Sequence, residues 1–266
     1  MNPEEDRHTF WWHLDELRTV LIRISLVSVL CGIVAFLFKE EVFSIVLAPK
    51  SQDFVTYRVL ERISSLWGGT GFDKFNVQLI NTGLAQQFII HMKTAFCVGI
   101  IAVSPYILYE LFAFVAPALY RNERKYGLRV VWAGYIMFFM GILLNYFVIF
   151  PLTFRFLGTY QVAGEVSNLI SLESYMSTLA VMSIWLGIMF ELPVVAWLLS
   201  RAGVIDSGLL GRYRKHAIVA ILIIAAVITP TSDVFTLMLV SVPIYLLYEL
   251  SIIVIKAGGK SAGSKS

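Results

Sequence analysis

HLDELRTVLIRISLVSVLCGIVAFLF, residues His13–Phe38, decides the fold class, because it runs from an acidic motif directly into an apolar segment, Val20–Phe38. About 20 predominantly apolar residues suffice for a helix to cross the roughly 30 Å hydrocarbon core. Further apolar segments follow at Phe88–Phe114, Val130–Leu152, Tyr175–Leu199, Ala217–Ile228 and Val234–Ile255. The 266-residue chain is 58% hydrophobic and 15% charged, with a mean hydropathy of +0.76. A soluble domain carries roughly 25% charged residues. The pattern therefore predicts an all-α integral membrane protein with six transmembrane helices. A net charge of +3, spread over short loops, gives no patch for nucleic acid.

The fifth segment is short. Its apolar stretch between His216 and Thr229 spans only about 18–20 Å at 1.5 Å per residue. Such a span thins the bilayer, lets its flanks snorkel or hides against neighbours; a buried or re-entrant helix is the other reading. The turn Pro230-Thr231-Ser232-Asp233 favours a true reversal, and segment six, interrupted by Pro243, begins at once. The fifth and sixth spans are thus expected to form a short helical hairpin.

An even number of spans puts both termini on one side. Arg7, Arg18, Arg121, Arg124, Lys125, Arg129, Arg201, Arg212, Arg214, Lys215 and the tail lysines then share that side, whereas the two short loops opposite carry only Arg155. The positive-inside rule makes the basic side, with both termini, cytoplasmic in a multi-pass plasma (inner) membrane protein. The long loop 39–85, with five basic residues, counts little in that rule and is expected to cap the outer face; its Phe54–Trp67 run suits strand or helix. Residues 1–255 read as one transmembrane domain and 256–266, rich in Gly, Ser and Lys, as a disordered cytoplasmic tail. The first span lacks a small-residue cleavage site and reads as a retained anchor. Cys31 and Cys97 fall inside spans, as packing residues.

No catalytic or cofactor motif emerges. The four histidines are scattered, His-Glu-x-x-His is absent, and Gly259-Lys260-Ser261 has Val254 where a phosphate loop needs its first glycine. Neither an enzyme, a metal site nor a cofactor is expected. Ionisable residues inside spans are functional candidates by default. Glu191, in Phe190-Glu191-Leu192-Pro193, lies beside a proline that kinks the helix; it is either functional or an interhelical hydrogen-bonding group. Glu110 and Glu249 lie nearer the interface, where snorkelling or pairing with loop arginines accounts for them, and Lys93 is close enough to the surface to snorkel. Asp233 can cap the sixth span.

Leu14, Leu17 and Leu21 recur at helical spacing, predicting an apolar stripe that lies on the membrane before the chain turns in, with Glu16 on the wet side. Taken alone, the motif reads as an interfacial helix with solvated charges. The whole order of motifs says more. His13-Leu14-Asp15-Glu16-Leu17-Arg18 is followed by Ala48-Pro49, Lys93, Ser104-Pro105-Tyr106-Ile107-Leu108-Tyr109 and Phe114-Val115-Ala116-Pro117-Ala118-Leu119-Tyr120-Arg121-Asn122-Glu123-Arg124. Then come Phe190-Glu191-Leu192-Pro193, Thr229-Pro230 with Asp233, and Pro243 with Leu247-Tyr248-Glu249. From about Phe10 to Ile255 this resembles the TatC family, the multi-spanning receptor subunit of the twin-arginine protein translocase.

The resemblance implies that Glu16 and Glu123 bind the paired arginines of signal peptides, with Phe114 in the same recognition surface and Arg18 as a supporting charge. It implies roles for Pro49, Glu191 and Asp233, with Glu191 facing single-span partner subunits. It also implies export of folded cargo driven by the protonmotive force, and a homo-oligomer inside a hetero-oligomeric complex surrounded by membrane lipid. The chain departs from the family pattern at Phe112, often tryptophan, at Leu237, where some members have glutamine, and in a hairpin turn longer by one residue. The chemistry suits the implied ligand: a guanidinium offers a planar fork that matches a carboxylate, and lysine does not. The alternative from another class is a proton-coupled small-solute transporter using Glu191; a purely structural scaffold is the third. Neither explains Glu16 and Glu123 at one face.

Overall fold

A computed structural model describes residues 3–66, 77–115, 127–161, 168–229 and 233–262. Among them, helix α1 (Pro3–Leu37) carries the opening motif, and α2 (Lys39–Leu47), a 3-10 turn (Ala48–Lys50), α3 (Val55–Leu66) and strand β1 (Gln78–Ile80) follow. Next come α4 (Gln86–Val115), α5 (Gly127–Leu144), a π-helical turn (Asn145–Ile149), α6 (Phe150–Thr159) and strand β2 (Leu169–Ser171). The chain continues through α7 (Leu172–Phe190), α8 (Leu192–Arg201), α9 (Ser207–Arg212), α10 (Arg214–Ile228) and α11 (Val234–Ala262).

Five stretches of the described residues are long and apolar enough to cross a membrane: Leu14–Leu37, Gln86–Phe114, Gly127–Thr159, Leu172–Arg201 and Val234–Ala257. The 15-residue α10 is not among them. The helices alternate in direction between two ends. At one end lie Glu16, Arg23, Glu110, Arg201 and the Arg214–Glu249 pair. At the other lie Pro49, β1, β2 and Asp233.

Two sequence expectations change. The opening motif does not lie flat before the chain turns in: α1 is a single helix of 35 residues. Nothing between Leu14 and Val20 breaks it, since no Gly or Pro occurs there, and Thr19 Oγ1 donates to the Asp15 carbonyl one turn back at 2.9 Å. The Leu14–Leu17–Leu21 stripe therefore forms the first turns of the span itself. Glu110 is paired not with a loop arginine but with Arg23 of α1, at 3.9 Å, and accepts from Tyr106 Oη at 2.6 Å. Glu249 does meet a basic residue of the α9–α10 corner: Arg214 Nη2 lies 2.8 Å from its Oε2. Lys93 bonds Glu173 at 3.0 Å, and Gln86 donates to the same carboxylate at 2.8 Å, tying the first turns of α4 and α7 together.

Proline and glycine set the packing. Pro105 and Pro151 each lack the N–H that would reach four residues back. Ser104 Oγ donates instead to the Ile101 carbonyl at 2.8 Å, and Thr56 Oγ1 to that of Phe147. Hydroxyls re-satisfying carbonyls freed by proline are a regular device of apolar helices. At Gly99 a Cβ would stand 2.6 Å from Gly32 N, and at Gly141 2.6 Å from Leu186 O. Only glycine permits the α1–α4 and α5–α7 backbones to approach so closely.

The ambiguous Phe54–Trp67 run is helical over Val55–Leu66 (α3), and Trp67 lies outside the described residues. Its Phe54 and Tyr57 are buried in a cluster with Val77, Ile90, Phe150, Phe154 and Tyr175. Strand β1 pairs in parallel with β2, Gln78 opposite Leu169 and Ile80 opposite Ser171. The described parts of the 39–85 segment thus pack on one end of the helices. A second cluster, with Met182, Leu186, Ala225, Val240 and Ile244 at its centre, joins α7 to the α10–α11 hairpin.

Candidate functional site

Helices α1 and α4 run antiparallel, with Gly32 against Gly99 and Arg23 against Glu110. Nine residues back along α1 thus correspond to eleven onward along α4. Continuing that register, Phe114 comes level with about Thr19, and Glu16 stands about one turn further toward the same end, at a rise of roughly 1.5 Å per residue in both helices. Glu16 and Arg18 are exposed and Phe114 is half-buried. Three of the sequence candidates therefore share one end of one helix pair. Glu123 lies outside the described residues.

The apolar flank of this end is open. Leu14 is 40% and Leu21 52% exposed, and with Leu17, Arg18, Ile22 and Leu26 they form an exposed, largely apolar face along α1. The arrangement offers a charged rim continuous with an apolar wall. Arg23 and Glu110, one to two turns deeper, close the α1–α4 seam below it.

Glu191 is the junction of α7 and α8. Its backbone N–H bonds the Ile188 carbonyl at 3.0 Å, and its own carbonyl accepts from Val195 N at 2.9 Å. Pro193 stands at the start of α8, where a missing N–H is harmless, so the kink expected from sequence is a change of helix at the glutamate itself. Among the described residues, buried Oε1 has no hydrogen-bond partner. Its carboxylate faces α5, where a Cβ on Gly134 would lie 3.0 Å from Oε2. Gly134 thus leaves the room that the carboxylate occupies, a role for which the sequence carries no signal.

Pro49 and Asp233 lie at the opposite end from Glu16. Asp233 Oδ1 accepts from Thr236 N at 2.7 Å, capping α11. The Pro49 carbonyl accepts from Tyr57 Oη at 3.2 Å, and that hydroxyl lies 2.9 Å from the Pro151 carbonyl. Burial pushes the Tyr57 phenol far above its usual range, against an opposing pull from the Arg155 charge. Tyr146 and Tyr175 add bonds to the Ile45 and Val46 carbonyls at 2.7 and 3.1 Å. Three tyrosines thus take up carbonyls around the end of α2, which sequence reading missed because tyrosines in apolar segments read as core.

A family model described as Sec-independent protein translocase protein (TatC) matches residues 12–243. The chain is 32% identical over 257 residues to the Sec-independent protein translocase protein TatC of Blattabacterium sp. subsp. Periplaneta americana, covering 95% of this chain and 96% of that one. It is 34% identical to the TatC of Aquifex aeolicus, over 90% of this chain and 91% of the other. A crystal structure of the twin arginine translocase receptor TatC superposes with a TM-score of 0.74 at 32% identity, covering 92% of this chain and 98% of that chain. Matching sequence, fold and length together, the chain belongs to the TatC family of Sec-independent protein translocase proteins.

Proposed function

We propose that this translocase component is the receptor for twin-arginine signal peptides and exports folded proteins, with Glu16 and Glu123 as the carboxylates that hold the two guanidinia. The observation that carries the reading is the antiparallel register of α1 on α4, which sets Glu16, Arg18 and Phe114 at one end. Glu123 follows Phe114 by nine residues in the same chain segment.

Two planar forks meeting two carboxylates select Arg-Arg over Lys-Lys. In open water each pair contributes about 0–1 kcal/mol. At a partly desolvated rim the contribution rises toward the roughly 1.5–3 kcal/mol of a charged hydrogen bond. The exposed apolar face of α1, with Leu14, Leu17 and Leu21, suits the apolar part of a signal peptide. Arg18 balances the acidic rim.

In this reading α10 is a sixth, short span, both termini are cytoplasmic, and the 39–85 segment caps the outer face of the inner membrane. The basic residues gathered at the Glu16 end support that orientation. Single-span partner subunits dock at Glu191, and several copies assemble in one complex driven by the protonmotive force. Pro49 and Asp233 act at the outer end by holding the cap and the hairpin.

The test is binding of an Arg-Arg signal peptide and its Lys-Lys twin to the purified protein and to Glu16→Ala and Glu123→Ala. Tight Arg-Arg binding that is lost with Lys-Lys and in both variants is expected. Equal binding of both peptides, or indifference to both glutamates, would overturn the reading.

A further inference from the structure

Away from the α1–α4 end, a groove of about 390 Å³ opens between α5, α8 and α11. Val130, Ala133 and Met137 form its α5 wall, Val194 and Trp197 its α8 wall, and Leu250 and Val254 its α11 wall. Arg129, exposed in the first turn of α5, lines the mouth. Depth follows from the helix directions. Met137 is the deepest residue on α5 and lies two turns below Arg129, about 12 Å at 1.5 Å per residue. One leaflet of the hydrocarbon core is about 15 Å thick, half of roughly 30 Å. The groove therefore runs through most of a leaflet, from its basic mouth to its apolar floor.

A second cation stands beside the mouth, next to the lining residue Trp197. Arg201 stands one helical turn beyond Trp197 and stacks on it, its guanidinium carbon 5.3 Å from the ring centroid. Tryptophan at this level also suits the headgroup boundary, where amphipathic rings concentrate. A soluble phosphate has no use for the apolar channel, and a neutral lipid has none for two arginines.

We propose that this groove is a binding site for one anionic phospholipid, its acyl chain lying between α5, α8 and α11 and its headgroup phosphate held at the mouth by Arg129 and Arg201. Charge complementarity selects this occupant over a neutral lipid. Basic pockets between spans on the side rich in Lys and Arg are suited to anionic headgroups. The assignment is independent of the signal-peptide site and takes from the proposed topology only that this end faces the headgroups.

The experiment is native mass spectrometry of the full chain purified in mild detergent and supplied with equal amounts of phosphatidylglycerol and phosphatidylcholine. Retention is compared with Arg129→Gln/Arg201→Gln and with Ala133→Phe, which fills the channel and leaves both arginines. Wild type is expected to keep phosphatidylglycerol in preference, by about fivefold for each engaged arginine. The double variant should lose the preference, Ala133→Phe should lose the lipid, and excess inorganic phosphate should not displace it. Equal retention of both lipids by wild type, a preference surviving in the double variant, unchanged retention in Ala133→Phe, or displacement by free phosphate would each overturn the proposal. Because retention is read in detergent, sidedness plays no part, and failure here is distinct from failure of signal-peptide binding.

Discussion

Thr56 of α3 donates its hydroxyl to the carbonyl of Phe147, which Pro151, lacking an N–H, leaves without its helical partner. The contact pins the segment between the first two spans to the third span, next to a π-helical turn. Thr56→Val keeps the shape and removes the donor. Leaving a carbonyl unsatisfied costs about 1–3 kcal/mol. Thermal unfolding in detergent should show that loss, with earlier protease cleavage around α3, whereas Thr56→Ser should behave as wild type. Equal stability of all three proteins would show that the bond contributes nothing.

The α1–α4 seam makes a longer-range prediction. At Gly99 any side chain meets the Gly32 backbone, where no flexible group can move aside. Gly99→Val should therefore push the helices apart and cost at least the about 1–3 kcal/mol typical of overpacking. The Glu16 end depends on the same register. Signal-peptide affinity should fall although Gly99 lies some 15 residues from Phe114, about 22 Å along the helix. Gly211→Val, at a position with open space around it, serves as the control.

What could be read from the sequence follows a physical division. Long apolar runs have one outcome in a membrane, so the helices over Val20–Phe38 and Phe88–Phe114 were legible, and so was the corner at Glu191 from its proline. The Asp233 cap was legible because a short acidic side chain before a helix has few other uses. Contacts between distant segments were not. Three-residue strands such as β1 and β2 carry no periodicity, and the π-helical turn at Asn145 arises from packing: its Nδ2 reaches Ser183 Oγ at 2.9 Å. Arg23 facing Glu110 depends on a crossing that two glycines permit, and single glycines in an apolar run look alike. At the candidate site, residue types were readable, whereas their common level on α1 and α4 required the register.

Asp233 separates a structural from a transport role. Replacing it with Ala removes the cap on Thr236 N and should destabilise the α10–α11 hairpin by about 1 kcal/mol, while Ser restores most of it. Comparing unfolding temperature with export then gives the answer. A Ser variant that is stable but fails in export would assign the carboxylate a function beyond capping. Recovery of both would limit it to the cap.

The carboxylate of Glu191 and the missing side chain of Gly134 form one feature. Glu191 lies ten residues before Arg201, so it sits about 15 Å below that end, near mid-span. A carboxylate at that depth with no partner for Oε1 among the described residues needs a reason to stay. If it docks a polar group of a single-span subunit, any residue that pushes it aside should imitate its removal. Gly134→Ala places a Cβ 3.0 Å from Oε2, the far end of a flexible side chain, and a shift of a few tenths of an ångström relieves it. Gly134→Leu cannot be relieved that way. Capture of the partner subunit by detergent pull-down should therefore be near wild type for Gly134→Ala. It should fall for Gly134→Leu and Glu191→Ala by a similar factor, about tenfold or more if one charged hydrogen bond of about 1.5–3 kcal/mol is lost. The double variant should be no worse than either single one, because both act on one contact. Additive losses, or normal capture by Glu191→Ala, would place the docking contact elsewhere on the helices.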